Sequence, residues 1–137
     1  EHWRVGANMD IQSGTPITGF GVGNPYDDTN YHSYYICVAN CDGPSAGREY
    51  ENSPRGKYGR TPWTHNFGAS IAWLTPISDK GDLQIKFAVY NLFNEQQVTA
   101  VDQDLQTNIS NSTSTTFRQP IRFQSPRFAQ LTVTANF

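Results

Sequence analysis

Four stretches of the chain alternate apolar and polar side chains with a period of two. In the first, Trp3, Val5, Ala7, Met9 and Ile11 share one face, and His2, Arg4, Gly6, Asn8, Asp10 and Gln12 share the other. The second sets Phe67, Ala69, Ile71 and Trp73 against Asn66, Gly68, Ser70 and Ala72, and the third sets Leu83, Ile85, Phe87 and Val89 against Asp82, Gln84, Lys86 and Ala88. In the last, Ala129, Leu131, Val133, Ala135 and Phe137 oppose Gln130, Thr132, Thr134 and Asn136. Alternation of this length predicts β-strands, not helices, over about 2–12, 64–75, 82–93 and 127–137. Soluble strands run about 5–6 residues, whereas a tilted strand crossing a bilayer needs about 9–11. The apolar faces suit lipid and the polar faces suit a wet lumen, with Trp3, Trp63, Trp73, Phe93 and Phe137 near strand ends where interfacial aromatics belong.

The connections between these strands are unequal. Residues 76–81 form a short turn punctuated by Pro and Gly. Residues 13–62 and 94–126 form two long loops, which together exceed half the chain. Loops beyond about 15 residues are uncommon in compact domains and usually functional. No repeat or domain boundary interrupts residues 1–137, and the Ser/Thr/Asn run Asn108–Thr116 reads as a flexible loop tip.

Composition strengthens the all-β reading. Aromatics make up 13% of the residues and apolar residues only 36%, while Thr, Asn, Ser and Gln supply 43 of 137. The balance of 10 basic to 12 acidic residues, net −2, excludes a strongly basic nucleic-acid binder. The longest apolar run, Tyr34–Ala39, is too short for a membrane-spanning helix, which needs roughly 20 residues. No signal peptide opens the sequence at Glu1, so the expectation is a cytosolic chain, a mature product or a piece of something longer.

Few residues invite chemistry. Cys37 and Cys41 are too few for a four-ligand zinc site, and a disulfide closing a small loop is the better reading, with free thiols as the alternative. Such a bond implies an oxidising compartment. Gly19-Phe20-Gly21-Val22-Gly23 lacks the strand–turn–helix context of a phosphate cradle and reads as a loop. Asp27-Asp28 and Asp102–Asp104 carry hard oxygen ligands without calcium-loop spacing, so solvated carboxylates are the default. The tripeptides at Asn108 and Asn111 match the N-glycosylation pattern by chance frequency in such a loop. No nucleophile–base arrangement is evident, so no enzyme, cofactor or metal is expected. Tyr26, Tyr31, Tyr34, Tyr35 and Tyr50 populate the first long loop, where they either form a ligand-binding surface or pack the loop on itself.

The segment Arg55-Gly56-Lys57-Tyr58-Gly59-Arg60-Thr61-Pro62-Trp63-Thr64 resembles the entry to a late strand in TonB-dependent outer-membrane receptors of the Oar-like group. Val89-Tyr90-Asn91-Leu92-Phe93-Asn94 resembles the Asn-Leu-Phe-Asn signature near the end of these receptors, and Gln124-Ser125-Pro126-Arg127 with the following strand resembles their last strand. Gln12-Ser13-Gly14-Thr15-Pro16 is similar to the motif that closes a strand and opens an extracellular loop. These matches follow the order of all four strands. The resemblance implies a barrel of about 22 strands with a plug, of which this chain would hold the last four antiparallel strands with two long extracellular loops. If the last strand runs inward, the turn 76–81 is periplasmic and both long loops are external, as in such barrels.

The resemblance implies transport of a bulky ligand into or out of the cell, driven through TonB. The implied partners are outer-membrane lipid, the remaining barrel and plug, TonB through the parent protein, and the outer-membrane assembly machinery. Arg4, Asp10 and Lys86 are expected to face the lumen or touch the plug. Leu131, Val133 and Phe137 resemble the terminal signal that the assembly machinery reads. Two rivals remain: a multi-chain outer-membrane barrel whose protomers each donate four strands, as in a duct or adhesin anchor, and a soluble β-sandwich binding module. The sandwich requires the four apolar faces to bury one another.

Overall fold

The computed structural model describes residues 2–78, 81–110 and 112–136. Among them the protein is all-β, with antiparallel sheets, one 3-10 turn at Ser45–Gly47 and no α-helix. The chain forms two compact units, one comprising Glu1–Ser13, Trp63–Gln97 and Gln124–Phe137, the other Gly14–Pro62 and Val98–Phe123.

The first unit is a four-stranded sheet of β1 (Trp3–Gln12), β4 (Thr64–Ser78), β5 (Gly81–Tyr90) and β8 (Phe128–Asn136), in the order β1-β4-β5-β8. Its register aligns the period-two pattern of every strand. Val5 opposes Ile71, Ile71 opposes Phe87, and Phe87 opposes Leu131. One residue along, Arg4, Ala72, Lys86 and Thr132 form the next row, on the other face. A one-residue slip of any strand would exchange its two faces, so the shared pattern fixes the register. The four apolar faces therefore lie side by side on one sheet and do not cover one another, which removes the sandwich arrangement of these strands.

Strand ends depart from the sequence reading in two places. β4 runs on through Pro76 to Ser78, where 76–81 was expected to be all turn. Pro76 lies beyond the start of β1 and beside a register shift between Pro76 and Ser78, a place where a strand tolerates a missing N–H. β5 stops at Tyr90 and not at Phe93. The reason is Asn91, at φ 50°, a left-handed conformation that asparagine adopts more readily than most residues. Its amide Nδ2 donates to the carbonyls of Glu95 and Ser125, both at 2.7 Å, and its Oδ1 accepts the Glu95 N–H at 3.0 Å. Asn94, at φ 54°, donates its N–H back to the Asn91 carbonyl. The Asn-Leu-Phe-Asn segment is thus a hydrogen-bonded turn.

The second unit corrects the picture of two structureless loops. It holds a hairpin of β2 (Tyr35–Ala39) with β3 (Glu49–Asn52), and a ribbon of β6 (Val98–Val101) with β7 (Pro120–Phe123). Gly21 and Gly23 run beside residues 33–35, donating to the Ser33 and Tyr35 carbonyls at 2.9 Å. A Cβ at Gly21 would stand 2.5 Å from the Tyr35 carbonyl oxygen, so the glycines serve close backbone approach. Cys37 and Cys41 are bonded, Sγ–Sγ 2.12 Å, and both are buried. Asn40, at φ 53°, turns the chain within that small ring.

Candidate functional site

The sheet of the first unit exposes both chemistries. On the apolar face Val5 is 80% exposed, Leu131 67% and Trp3 63%, with Met9, Val133, Ile11, Phe87 and Ile71 also exposed. Trp3 stands 6.4 Å from Trp73, ring centre to ring centre, at one end of this face, and Phe67 packs edge-on against Phe93 at 5.2 Å toward the other. The Trp3–Trp73 and Met9–Phe67 rows are six residues apart along β1, about 20 Å at roughly 3.3 Å per residue.

On the polar face stand Arg4, Asp10 and Lys86, the residues expected to line a lumen. Arg4 and Lys86 flank Ala72 in one row and, with Gly6, Ser70 and Gln84, line a shallow pocket of about 180 Å³. Asp10, opposite Asn66, stands six residues along β1 from Arg4, so it does not share that pocket. Leu131 and Val133 lie on the exposed apolar face of β8. Phe137 lies outside the described residues.

In the second unit the five loop tyrosines separate into two groups. Tyr26, Tyr34 and Tyr35 pack locally: the Tyr26 and Tyr35 hydroxyls are 2.8 Å apart, their rings meet edge-on, and Tyr34 meets Phe20 edge-on. That hydrogen bond raises the Tyr26 phenol above its ordinary value, because the proton Tyr26 donates to the Tyr35 hydroxyl is held by it. The Tyr26 ring also meets His32 edge-on at 5.0 Å. His32 Nε2 lies 3.1 Å from Asp28 Oδ2.

Tyr31 and Tyr50 instead line a cleft of about 370 Å³ together with Asp27, Ser45, Arg48 and Ile109. Loop, turn and strand each supply a side of it. Asn24 clasps the loop, Nδ2 donating to the Asp28 carbonyl at 2.6 Å, and Asp27 follows at φ 52°. The Arg48 Nε donates to the Gly43 carbonyl at 3.0 Å, which fixes the guanidinium plane. Tyr50 sits on β3 opposite Cys37, so the disulfide hairpin backs it. Sequence reasoning placed both tyrosines among the ligand residues but missed Arg48 and gave Asp27 no role beyond a solvated carboxylate.

One carboxylate of each acidic group, Asp28 and Asp102, is held within its own loop. Asp28 accepts the Asn30 N–H at 2.9 Å and meets His32, and the first of these contacts chiefly holds its carboxyl below the ordinary carboxylate range. Asp102 is lowered by the Thr116 hydroxyl and then by the Asp104 N–H. Among the described residues no cluster of three His, Cys, Asp or Glu could hold a metal ion. Because the folded value of Asp28 is depressed, its stabilising contribution is present above the ordinary carboxylate range and is lost as pH falls through the folded value. Acidification should therefore release the Asp28 contacts of loop 24–32, seen as loss of Asn30 amide protection, and Asp28→Asn should make that protection independent of pH in the acid range. An unchanged acid transition in the Asp28→Asn variant would assign the effect elsewhere.

Compared with family models, curated proteins and solved structures, the chain matches none.

Proposed function

We propose that this chain is the C-terminal barrel portion of a TonB-dependent outer-membrane transporter of the Oar-like kind, taking up or exporting a bulky ligand. The observation that carries the reading is the sheet face on which Trp3, Val5, Met9, Ile11, Ile71, Phe87, Leu131 and Val133 are all exposed. Soluble monomers rarely leave contiguous apolar patches beyond a few hundred Å². In lipid the same face is the favourable one. Two ends marked by aromatic pairs about 20 Å apart fit an apolar band of about 25 Å flanked by aromatic girdles.

The polar face then lines a lumen, with Arg4, Asp10 and Lys86 facing water or a plug. The outer edges of β1 and β8 have no partner strand among the described residues. In hydrocarbon such an edge leaves backbone groups unmet, at several kcal/mol each. Those edges are therefore closed by strands of the same parent protein. The second unit, borne on the long connections, faces the exterior and meets the ligand. The reading assigns no catalysis.

Fractionation of cells producing the protein, followed by immunoblotting for residues 26–35, tests this. The expected species is in the outer membrane, shows heat-modifiable gel mobility, and has a mass several times the 15.4 kDa of this chain. A species of 15.4 kDa in symmetric membrane oligomers would favour the multi-chain barrel, and one in the soluble fraction would end both barrel readings.

A further inference from the structure

The cleft beside Tyr31 has a lining chemistry that narrows what it can take. Its volume, about 370 Å³, falls in the range of small-ligand sites, roughly 300–1,000 Å³. Tyr31 is 70% exposed and Tyr50 is half-buried, and neither hydroxyl has a hydrogen-bond partner among the described residues. The Asp27 carboxylate and the Ser45 hydroxyl are likewise unengaged there, and Arg48 has only its Nε committed. The cleft thus offers free acceptors, free donors and two tyrosine side chains at once, with one positive and one negative charge that cancel.

A ligand that uses all of these carries many groups that both donate and accept, has apolar C–H faces to lie on tyrosine rings, and needs no net charge. Asp27 accepts only and Arg48 donates only, so a group meeting both must do both, as a hydroxyl does. A carboxylate or phosphate ligand would use Arg48 but would be repelled by Asp27. An extended peptide would need a strand edge, and the exposed edge nearby, β3, carries Glu49 and Glu51, charges that discourage strand addition. An apolar ligand would strand the four unengaged polar heads, each costly to bury unpaired.

We infer that this cleft binds a neutral oligosaccharide, its sugar faces on Tyr31 and Tyr50 and its hydroxyls between Asp27 and Arg48. The hydroxyls donate to the Asp27 carboxylate and accept from the Arg48 guanidinium. The arrangement is preorganised: the Asn24 clasp holds Asp27, the Gly43 carbonyl holds Arg48, and the Cys37–Cys41 bond backs Tyr50. Preorganisation reduces the ordering cost that weakens most sugar binding. This names the ligand class for the external loops and rests on the transporter reading only for its biological setting.

Isothermal titration of the intact parent protein in detergent tests it, with malto-, cello- and xylo-oligosaccharides as probes and oligogalacturonate and triglycine as the competing chemistries. The expected result is saturable binding of at least one neutral oligosaccharide, weakened about tenfold or more by Tyr31→Ala and by Asp27→Asn. Tyr34→Ala, which removes a ring packed on Phe20 outside the cleft, should leave it unchanged. Tyr31 makes no ring contact or hydrogen bond among the described residues, so its removal leaves the loop intact. Binding of oligogalacturonate or triglycine alone, equal binding by the Tyr31→Ala variant, or no saturation by any neutral oligosaccharide would overturn the inference. None of those outcomes bears on membrane fractionation, so the two readings fail separately.

Discussion

Leu131→Arg should prevent stable assembly of the parent protein in the outer membrane, while Gln130→Arg in the same strand should be tolerated. Leu131 lies mid-strand in β8, in the row Val5–Ile71–Phe87–Leu131, on the exposed apolar face. Gln130 opposes Ala88 on the other face. An arginine on the lipid face of a barrel costs roughly 2–4 kcal/mol at the bilayer midplane, whereas a lumen position leaves it in water. Against a folded stability of about 5–15 kcal/mol, the lipid-face loss is large. The two variants have the same net charge and differ by one position, so only the face differs. Heat-modifiable mobility in isolated outer membranes reads the outcome. Equal assembly of both variants would mean that the apolar face does not meet lipid. Increased solubility of Leu131→Arg without loss of folding would point to a water-facing patch, and so to a protein–protein surface.

The main sheet was legible in the sequence because each long strand keeps one chemistry per face. Trp3 to Ile11 and Ala129 to Ala135 alternate without a break, and antiparallel neighbours with a shared pattern have only one register that keeps both faces intact. The second unit was not legible for the opposite reason. Glu49–Asn52 and Pro120–Phe123 are four residues each, too short and too mixed in polarity to carry a period. Their order comes from contacts far apart in sequence, such as the Gln103 Oε1 that accepts the Thr18 N–H at 2.8 Å, 85 residues away. No local pattern encodes a clamp of that kind. The end of β5 was readable in principle, since Asn91 follows an apolar run and asparagine tolerates the left-handed region. The expected strand nonetheless ran past it to Phe93. At the cleft, Tyr31 and Tyr50 were visible by composition, but Arg48 became a site residue only through the 3-10 turn Ser45–Gly47 that delivers it.

Gln106→Leu should strongly destabilise the second unit. The Gln106 side chain is buried and acts as a substitute peptide group: its Oε1 accepts the Cys37 N–H at 2.9 Å and its Nε2 donates to the Cys37 carbonyl at 2.7 Å. The same Nε2 donates to the Ser110 carbonyl at 3.0 Å. One residue thus joins the second connection to the disulfide hairpin across 69 positions of sequence. Leucine keeps much of the volume and leaves the buried N–H and C=O of Cys37 unmet, at roughly 1–3 kcal/mol for each group. That sum, roughly 2–6 kcal/mol, matches or exceeds the expected effect of losing the disulfide itself, about 2 kcal/mol for so short a ring on the loop-entropy estimate. Gln106→Glu separates hydrogen bonding from shape. A carboxylate there faces two carbonyl oxygens and loses the donor it needs, while a protonated carboxyl restores one. Its folded pKa is therefore raised, so the variant is most stable below the ordinary glutamate range and loses stability as pH rises through the folded value. Hydrogen exchange at the Cys37 amide is the direct measurement. Strong protection is expected in the parent, little in Gln106→Leu, and protection that falls with rising pH, after correction for intrinsic exchange, in Gln106→Glu. Protection of the Cys37 amide as strong in Gln106→Leu as in the parent would show that the hairpin holds without the clamp and that Gln106 merely follows it.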